Sequence, residues 1–270
     1  MKIESIKVLR GPNQWARFPV LEVRVDLGHL EDYPSHTLPG FNDRLMAWLP
    51  SMIEHRCSIG ERGGFFQRLQ TGTWMGHVLE HVTLELQTLA GTAVGYGRAR
   101  ETKTRGVYNV IIEYREEGFA IACLHAAHEL LAAAIAGEPF PVEQTVAQLR
   151  EKLLEEQLGP STRSIVAAAQ RRDIPARRLS EGSLVRLGIG AKQRRILAAE
   201  TDQTSAIAES IAQDKELTRR LLAEAGIPVA AGQPVSSDDE AWEVACEVGL
   251  PVVVKPRYGN QGRGVSVSLT

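Results

Sequence analysis

Residues 250–267, LPVVVKPRYGNQGRGVSV, contain the most informative pattern for the fold of the second half of the chain. A short β-branched run ending at Lys255 predicts a buried strand, and the alternation after Gly264 predicts a second one. The glycines of the connecting loop allow backbone N–H groups to approach an anion, and the Lys255 ammonium is suited to phosphate. The stretch therefore predicts a nucleotide triphosphate site. A plain hairpin whose glycines serve only the turn is the alternative.

The order of residues in this stretch resembles the phosphate-covering hairpin of the ATP-grasp superfamily, and its form KPxxGNxGRG resembles the cyanophycin synthetase family. RGPN at residues 10–13 and the pattern LGxG…RR…A…TD…T from residue 187 onward resemble the same family. The resemblance implies ATP and Mg²⁺ as cofactors. It also implies that the nucleotide is bound by Lys215, Lys255, Gly259, Asn260, Gly262 and Gly264.

The resemblance further implies a ligase that polymerises aspartate and arginine in two ATP-dependent steps. A backbone carboxylate of the cyanophycin polymer or primer is phosphorylated, and the amine of aspartate then attacks the acyl phosphate. Arginine is joined to the aspartate side chain through an isopeptide bond at a separate site, which is expected outside these 270 residues. An ATP-grasp ligase that makes a different amide is the alternative within this class. Because the chain stops just after the glycine loop, we expect it to be the N-terminal portion of a longer enzyme.

A second candidate site lies on the stretch TWMGHVLEHVTLELQ, residues 73–87. Its apolar spacing predicts a helix with Thr73 as N-cap and Gly91 as its stop. His77 and His81 lie one turn apart with Glu80 beside them, in the H-x-x-E-H order of inverted zinc peptidases. Two imidazoles would bind Zn²⁺, and Glu80 would activate a water molecule as the catalytic residue.

The third ligand of such a site must come from another element. Glu85 is eight residues from His77, about 12 Å along a helix, which is too far to share one ion with it. Glu113, at the end of a predicted strand, is the first choice, and Cys57 is the second. The cyanophycin synthetase family has a similar GHxxEHVxLELQ helix, which implies a domain able to cut the polymer into primers in some members. A polar helix face in a non-catalytic domain that binds polymer and supports a homo-oligomer is the alternative.

Composition limits the function classes. Thirty-one basic and thirty-three acidic residues without a long block of either sign predict no nucleic-acid partner. The N-terminus lacks an apolar signal-peptide core, and polar residues interrupt the most apolar run, 119–136, so we expect no membrane partner and a cytoplasmic location. The three cysteines are odd in number and scattered, which indicates reduced thiols. A homo-oligomer is also expected.

Hydrophobic periodicity predicts an α/β protein. We expect an α+β domain at 1–158, a segment at 159–213, and the start of an incomplete ATP-grasp-type α/β region at 214–270. Pro50 should end the helix that begins near residue 41, residues 55–65 should form a glycine-rich connection, and Ser161 or Thr162 should cap a helix. The predicted strands are 2–9, 19–27, 107–114, 176–179, 183–187 and 194–199, and the other predicted helices are 119–136, 142–158, 164–172, 214–225 and 238–248.

Overall fold

The computed structural model describes residues 1–57, 59–180, 182–259 and 262–270. Its described residues form two compact units, 1–193 and 194–270. Both units combine helices with strands, so the predicted α/β class is confirmed. The domain boundaries expected after residues 158 and 213 stay predictions.

The first unit is built around a four-stranded antiparallel sheet with the order β1-β2-β4-β3. A short hairpin of β5 and β6 comes later in the same unit. Its helices and strands are β1 (Lys2–Leu9), β2 (Val20–Asp26), α1 (Phe41–Trp48), α2 (Gly64–Thr71), α3 (Met75–Ala90), β3 (Gly97–Glu101), β4 (Val107–Glu113), α4 (Glu117–Ala136), α5 (Val142–Glu156), α6 (Pro160–Gln170), β5 (Ala176–Arg178) and β6 (Leu184–Leu187).

The core of this unit lies between the sheet and the helices α3, α4 and α5. The central strands β2 and β4 are almost wholly buried, as their β-branched composition favours. Helix α3 is buried along most of its length and ends at Gly91, whose φ of 116° suits a left-handed cap. The site residues of α3 are therefore held on a rigid element.

Helix α4 is long and apolar enough to cross a membrane by length and composition alone. In the structure, Phe119, Leu124 and Leu131 of this helix are fully buried in the core that it shares with α3 and α5. The helix predicted at 119–136 is thus confirmed, and it packs into this core.

The RGPN turn between β1 and β2 is organised by Asn13. Its amide donates to the carbonyls of Gly11 and Phe18 at 2.8 and 3.0 Å, and its Oδ1 accepts from the backbone N–H groups of Trp15 and Ala16. One side chain thus satisfies four backbone groups of the turn, which explains the asparagine in this motif.

Three local predictions in this unit are wrong. Residues predicted to form only a connection include helix α2. Strand β3 was not among the predicted strands. Trp74, not Thr73, precedes the first turn of α3, and the Thr73 hydroxyl contacts His77 instead. Helix α6 begins at Pro160 with Gly159 at the capping position, because proline suits a first helical turn.

Within residues 194–259 and 262–270, the second unit contains two strand pairs and three helices. Asp214 caps α8 by accepting from the N–H groups of Glu216 and Leu217, and Ser237 caps α9. Helix α7 was not predicted. The elements are β7 (Arg194–Leu197), β8 (Glu200–Thr201), α7 (Ala206–Gln213), α8 (Lys215–Glu224), α9 (Asp238–Val248), β9 (Val252–Val254) and β10 (Ser266–Leu269).

Candidate functional site

Three potential metal ligands meet at the start of α3. The Nε2 atoms of His77 and His81 are 3.2 Å apart, as expected for residues one turn apart on a helix. The Sγ atom of Cys57 is 3.2 Å from His77 Nε2, and the three ligand atoms lie within 4.8 Å of one another. Cys57 follows the short helix Pro50–Glu54, so it reaches the two histidines from a different element than α3. The structure thus brings together both predicted histidines and the second-choice ligand.

The two distances to His77 Nε2, both 3.2 Å, are close to those between ligands of a tetrahedral zinc ion. At ordinary zinc bond lengths, two nitrogen ligands lie about 3.3 Å apart, and a nitrogen and a thiolate about 3.6 Å apart. Burial lowers the pKa of His77 to about 4, with a smaller contribution from Arg68, and lowers that of His81 well below its usual range. Both imidazoles are therefore neutral at neutral pH, the form that binds metal.

The outer nitrogen of each imidazole has its own partner. His77 Nδ1 lies 2.8 Å from Thr73 Oγ1, and His81 Nδ1 lies 2.8 Å from His55 Nδ1. His55 Nε2 lies 2.8 Å from Glu85 Oε2, and the other oxygen of Glu85 accepts from the hydroxyl of Ser51. Partners of this kind fix the ring orientation of metal-binding histidines.

The Glu85 carboxylate determines the tautomers along this chain of contacts. A carboxylate only accepts hydrogen bonds, so His55 donates to it from Nε2, and in the tautomer that carries its single ring proton there, His55 accepts at Nδ1. His81 must then donate from Nδ1, which leaves a lone pair on its Nε2. That lone pair points into the space shared with His77 and Cys57, where a cation would be stabilised. We assign these tautomers from the hydrogen-bond geometry.

Glu80 lies on the same helix as the two imidazoles and is buried. Its Oε1 is 3.8 Å from His81 Nε2, and burial raises the pKa of its carboxyl group to about 8. Gly97 in β3 is packed against this carboxyl group, and a Cβ at position 97 would overlap it. The sheet thus confines Glu80 to a position beside the ligand group.

Glu113 does not belong to this group, although it was the first choice as third ligand. Its Oε2 accepts from the N–H groups of Gly95 and Tyr96 at 3.1 and 3.0 Å, and Arg115 binds Oε1 at 2.8 Å. The carboxylate is therefore occupied with the loop before β3. The sequence predicted the strand that ends near Glu113. It did not indicate that the Glu113 side chain contacts the loop before β3 and not the two histidines.

The predicted nucleotide-binding residues lie in the second unit. Lys255 follows β9 and is exposed, and the glycines at 259, 262 and 264 have φ angles of 108°, 74° and 67°. These angles favour glycine over any residue with a Cβ, so the loop shape explains the glycine pattern. Asn260 lies outside the described residues.

Lys215 contacts the same loop. Its ammonium donates to the carbonyl of Gly259 at 2.6 Å and to that of Arg257 at 3.4 Å. Asp214 accepts two hydrogen bonds from the Arg257 guanidinium, at 2.9 and 2.6 Å, and these hold the pKa of its carboxyl group well below its usual range. The assignment of Lys215 as a nucleotide-binding residue stays a prediction, and sequence analysis missed the pairing of Asp214 with Arg257.

Comparison with known proteins shows similarities for both parts of the chain. Residues 22–136 match the family described as cyanophycin synthase-like N-terminal domain. The matched residues lie within the first unit, which is therefore similar to a cyanophycin synthase-like N-terminal domain. The α3 helix with His77, Glu80 and His81 lies inside this domain, and the sequence-based family resemblance is confirmed. Residues 214–270 match the ATP-binding domain of the carbamoyl-phosphate synthase L chain.

Curated relatives extend the similarity of the N-terminal domain to the whole chain. The cyanophycin synthetases of Geminocystis herdmanii and Synechocystis sp. are each 42% identical over 275 positions, covering 100% of this chain and 32% of the relative. A carbamoyl phosphate synthase large chain from Clostridium acetobutylicum is 44% identical over 57 residues, covering 21% of this chain and 5% of that protein. The chain thus spans about a third of the length of the cyanophycin synthetases that it matches.

Proposed function

We propose that this chain is part of an ATP-dependent ligase that joins aspartate and arginine to a cyanophycin polymer or primer. The observation that carries this proposal is the 42% identity to cyanophycin synthetases, which runs through the glycine loop and Lys255. The similarity of residues 214–270 to an ATP-binding domain supports ATP, with Mg²⁺, as the cofactor. A cytoplasmic location and a homo-oligomeric state stay predictions.

The residues of the second unit would act on the triphosphate by positioning and charge. Lys255 and Lys215 supply ammonium groups, and the backbone of the loop at 259–264 supplies N–H donors. Such groups stabilise the charge that develops on the transferred phosphoryl group. The phosphorylated polymer carboxylate would then react with the amine of aspartate, with release of phosphate.

Incorporation of labelled aspartate and arginine into a primer, measured with the full-length gene product, tests this proposal. Polymer growth should require ATP and release ADP and phosphate. Lys255→Ala should reduce growth by at least about tenfold, because one charge on the phosphates is lost. Lys192→Ala, which changes a lysine outside the loop, is the control. ATP turnover that does not depend on aspartate or arginine would contradict the proposal.

We further propose a second activity, a metal-dependent cleavage of the polymer by the N-terminal domain. The convergence of Cys57, His77 and His81, with Glu80 beside them, supports it. These three side chains would hold Zn²⁺, and the ion when bound would lower the pKa of a coordinated water and polarise the amide carbonyl. The identity of the bound ion as zinc is part of this proposal.

The protein residues of this site would handle the proton. Glu80, ionised beside the bound cation because an adjacent positive charge favours the carboxylate form, would take a proton from the attacking water as the oxygen forms a bond to the amide carbon. It would return the proton to the amine when the carbon–nitrogen bond breaks, so that one water is consumed for each amide cut. Thr73 and His55 would hold the two imidazoles in the required tautomers.

Metal analysis and polymer cleavage, measured in the same samples, test the second activity. We expect one zinc per chain, lost in His77→Ala and in Cys57→Ala, while Glu80→Gln keeps the metal and loses cleavage. His125→Ala, which removes an exposed histidine of α4, is the matched control. A chain that binds no metal and does not cleave polymer would contradict this activity and leave the ligase proposal intact.

A further inference from the structure

Helix α2 covers the metal-ligand group from one side. Its Phe65 is fully buried, and its ring stacks on His81 with centroids 4.1 Å apart and meets His77 edge-on at 5.8 Å. Gly64 allows this approach, because a Cβ at that position would overlap the backbone carbonyl of Cys57. The first turn of α2 is thus fixed against all three ligands.

Arg68 lies one helical turn beyond Phe65, on the same side of α2. Residues three apart on a helix are neighbours, so Arg68 lies next to Phe65, whose ring contacts both imidazoles. Arg68 is half-buried, and its charge reaches His77, where it adds to the effect of burial in lowering the pKa of that imidazole. Arg68 is therefore a positively charged neighbour of the residue that packs on the two imidazoles.

No hydrogen bond or ion pair to the Arg68 guanidinium occurs within the described residues. Arg62, just before the same helix, differs in this respect because it binds Glu54 at 2.7 Å. A half-buried guanidinium without an acceptor is unfavourable, and a bound metal cation would add further positive charge nearby. Both effects favour an anion at this position.

We infer that Arg68 is a specificity residue that binds a carboxylate of the peptide substrate beside the amide presented to Cys57, His77 and His81. The inference rests on the proposed peptidase activity. A guanidinium binds a carboxylate through two parallel hydrogen bonds, which fixes both the position and the direction of the bound group. The proposed polymer offers such groups, because arginine joined through its amine keeps its own carboxylate.

The test measures peptide binding separately from turnover. The probe is an N-acetylated dipeptide with arginine joined to the aspartate side chain, once with the arginine carboxylate unmodified and once as the amide. Its affinity for the zinc-loaded Glu80→Gln chain is measured by calorimetry, with and without Arg68→Gln. We expect Arg68→Gln to weaken binding of the carboxylate form about ten- to a hundredfold and to leave the amide form unchanged.

Two control variants test whether the effect is specific to the Arg68 guanidinium. Arg68→Lys should restore part of the preference for the carboxylate form, because it keeps the charge but not the paired donors. Arg62→Gln removes a neighbouring arginine and should change neither affinity. Equal affinities of the two probes, or an equal effect of Arg68→Gln on both, would overturn the inference while zinc binding still supports the peptidase site. A wild-type chain without zinc would overturn the proposed peptidase, and the inference with it.

Discussion

At the scale of single residues, the imidazoles depend on atoms that would not touch a metal ion. Substitution of His55 by alanine should leave His81 without its partner at Nδ1, so the ring would lose its fixed tautomer. Loss of such a partner weakens metal binding about ten- to a hundredfold. Competition with a chromophoric zinc chelator would measure this loss. His125→Ala should have no effect, and an unchanged affinity in His55→Ala would contradict the assigned hydrogen-bond chain.

The three cysteines should differ in their reaction with an alkylating reagent. Cys246 is exposed and should react first, whereas Cys123 is buried and burial raises the pKa of its thiol far above the ordinary value. Cys57 should react in the absence of metal and become protected when zinc is added. Mass spectrometry of each peptide would follow the reaction. Equal labelling of Cys57 with and without zinc would argue against its role as a ligand.

Gly97 provides a test of Glu80 that leaves the ligands untouched. In Gly97→Ala, the new methyl group would displace the Glu80 carboxyl group, so polymer cleavage should fall by at least about tenfold while zinc content stays constant. Gly95→Ala is the matched control, because a Cβ there meets no other atom within 4 Å. Full cleavage activity of Gly97→Ala would show that cleavage does not require the Glu80 carboxyl group to be held in this position.

At the scale of elements, the sequence predicted those whose periodicity is strong and missed those formed by tertiary contact. The alternation in β1 and the apolar stripe of α3 were sufficient to locate both elements. Helix α2 was missed because glycines precede it, and it is stabilised by burial of Phe65 and Leu69. The choice between Glu113 and Cys57 depended on how a loop folds back on α3, which spacing along the chain does not encode.

The contact between α8 and the glycine loop gives a prediction for an element. Asp214→Asn should still cap α8, because asparagine is an equally good capping residue, but it should lose its charge pairing with Arg257. Amide hydrogen exchange of residues 255–259 should therefore increase while α8 keeps its protection. Asp238→Asn, in the first turn of α9, is the control. Unchanged exchange in the loop would show that the ion pair does not hold it.

At the scale of the whole molecule, the Glu22 carboxylate links stability to pH. Burial alone would raise the pKa of this carboxyl group, but hydrogen bonds from Trp15 and Gln14 and the charge of Lys7 together lower it. A carboxyl group with a lowered pKa in the folded state stabilises the protein above the unfolded value of about 4.3. This contribution is lost as the pH falls through the folded-state pKa.

We therefore expect Glu22→Gln to lower the free energy of unfolding by about 1–2 kcal/mol at pH 7 and by less near pH 3. Denaturant titrations of the chain at both pH values would measure the difference. Glu4→Gln removes a more exposed carboxylate from the same sheet and should cost less at pH 7. An equal cost of Glu22→Gln at both pH values would contradict the assigned shift.

The bond between Lys215 and the carbonyl of Gly259 has a consequence for affinity. An anion that draws the ammonium away must first break this contact, which holds the loop in the absence of ligand. The observed affinity for the anion is therefore lower than the intrinsic affinity by the free energy of that contact, since only molecules with the ammonium released are competent to bind. A weaker contact between Lys215 and residue 259 would therefore give tighter binding of nucleotide. The loop would then be more mobile when no nucleotide is bound.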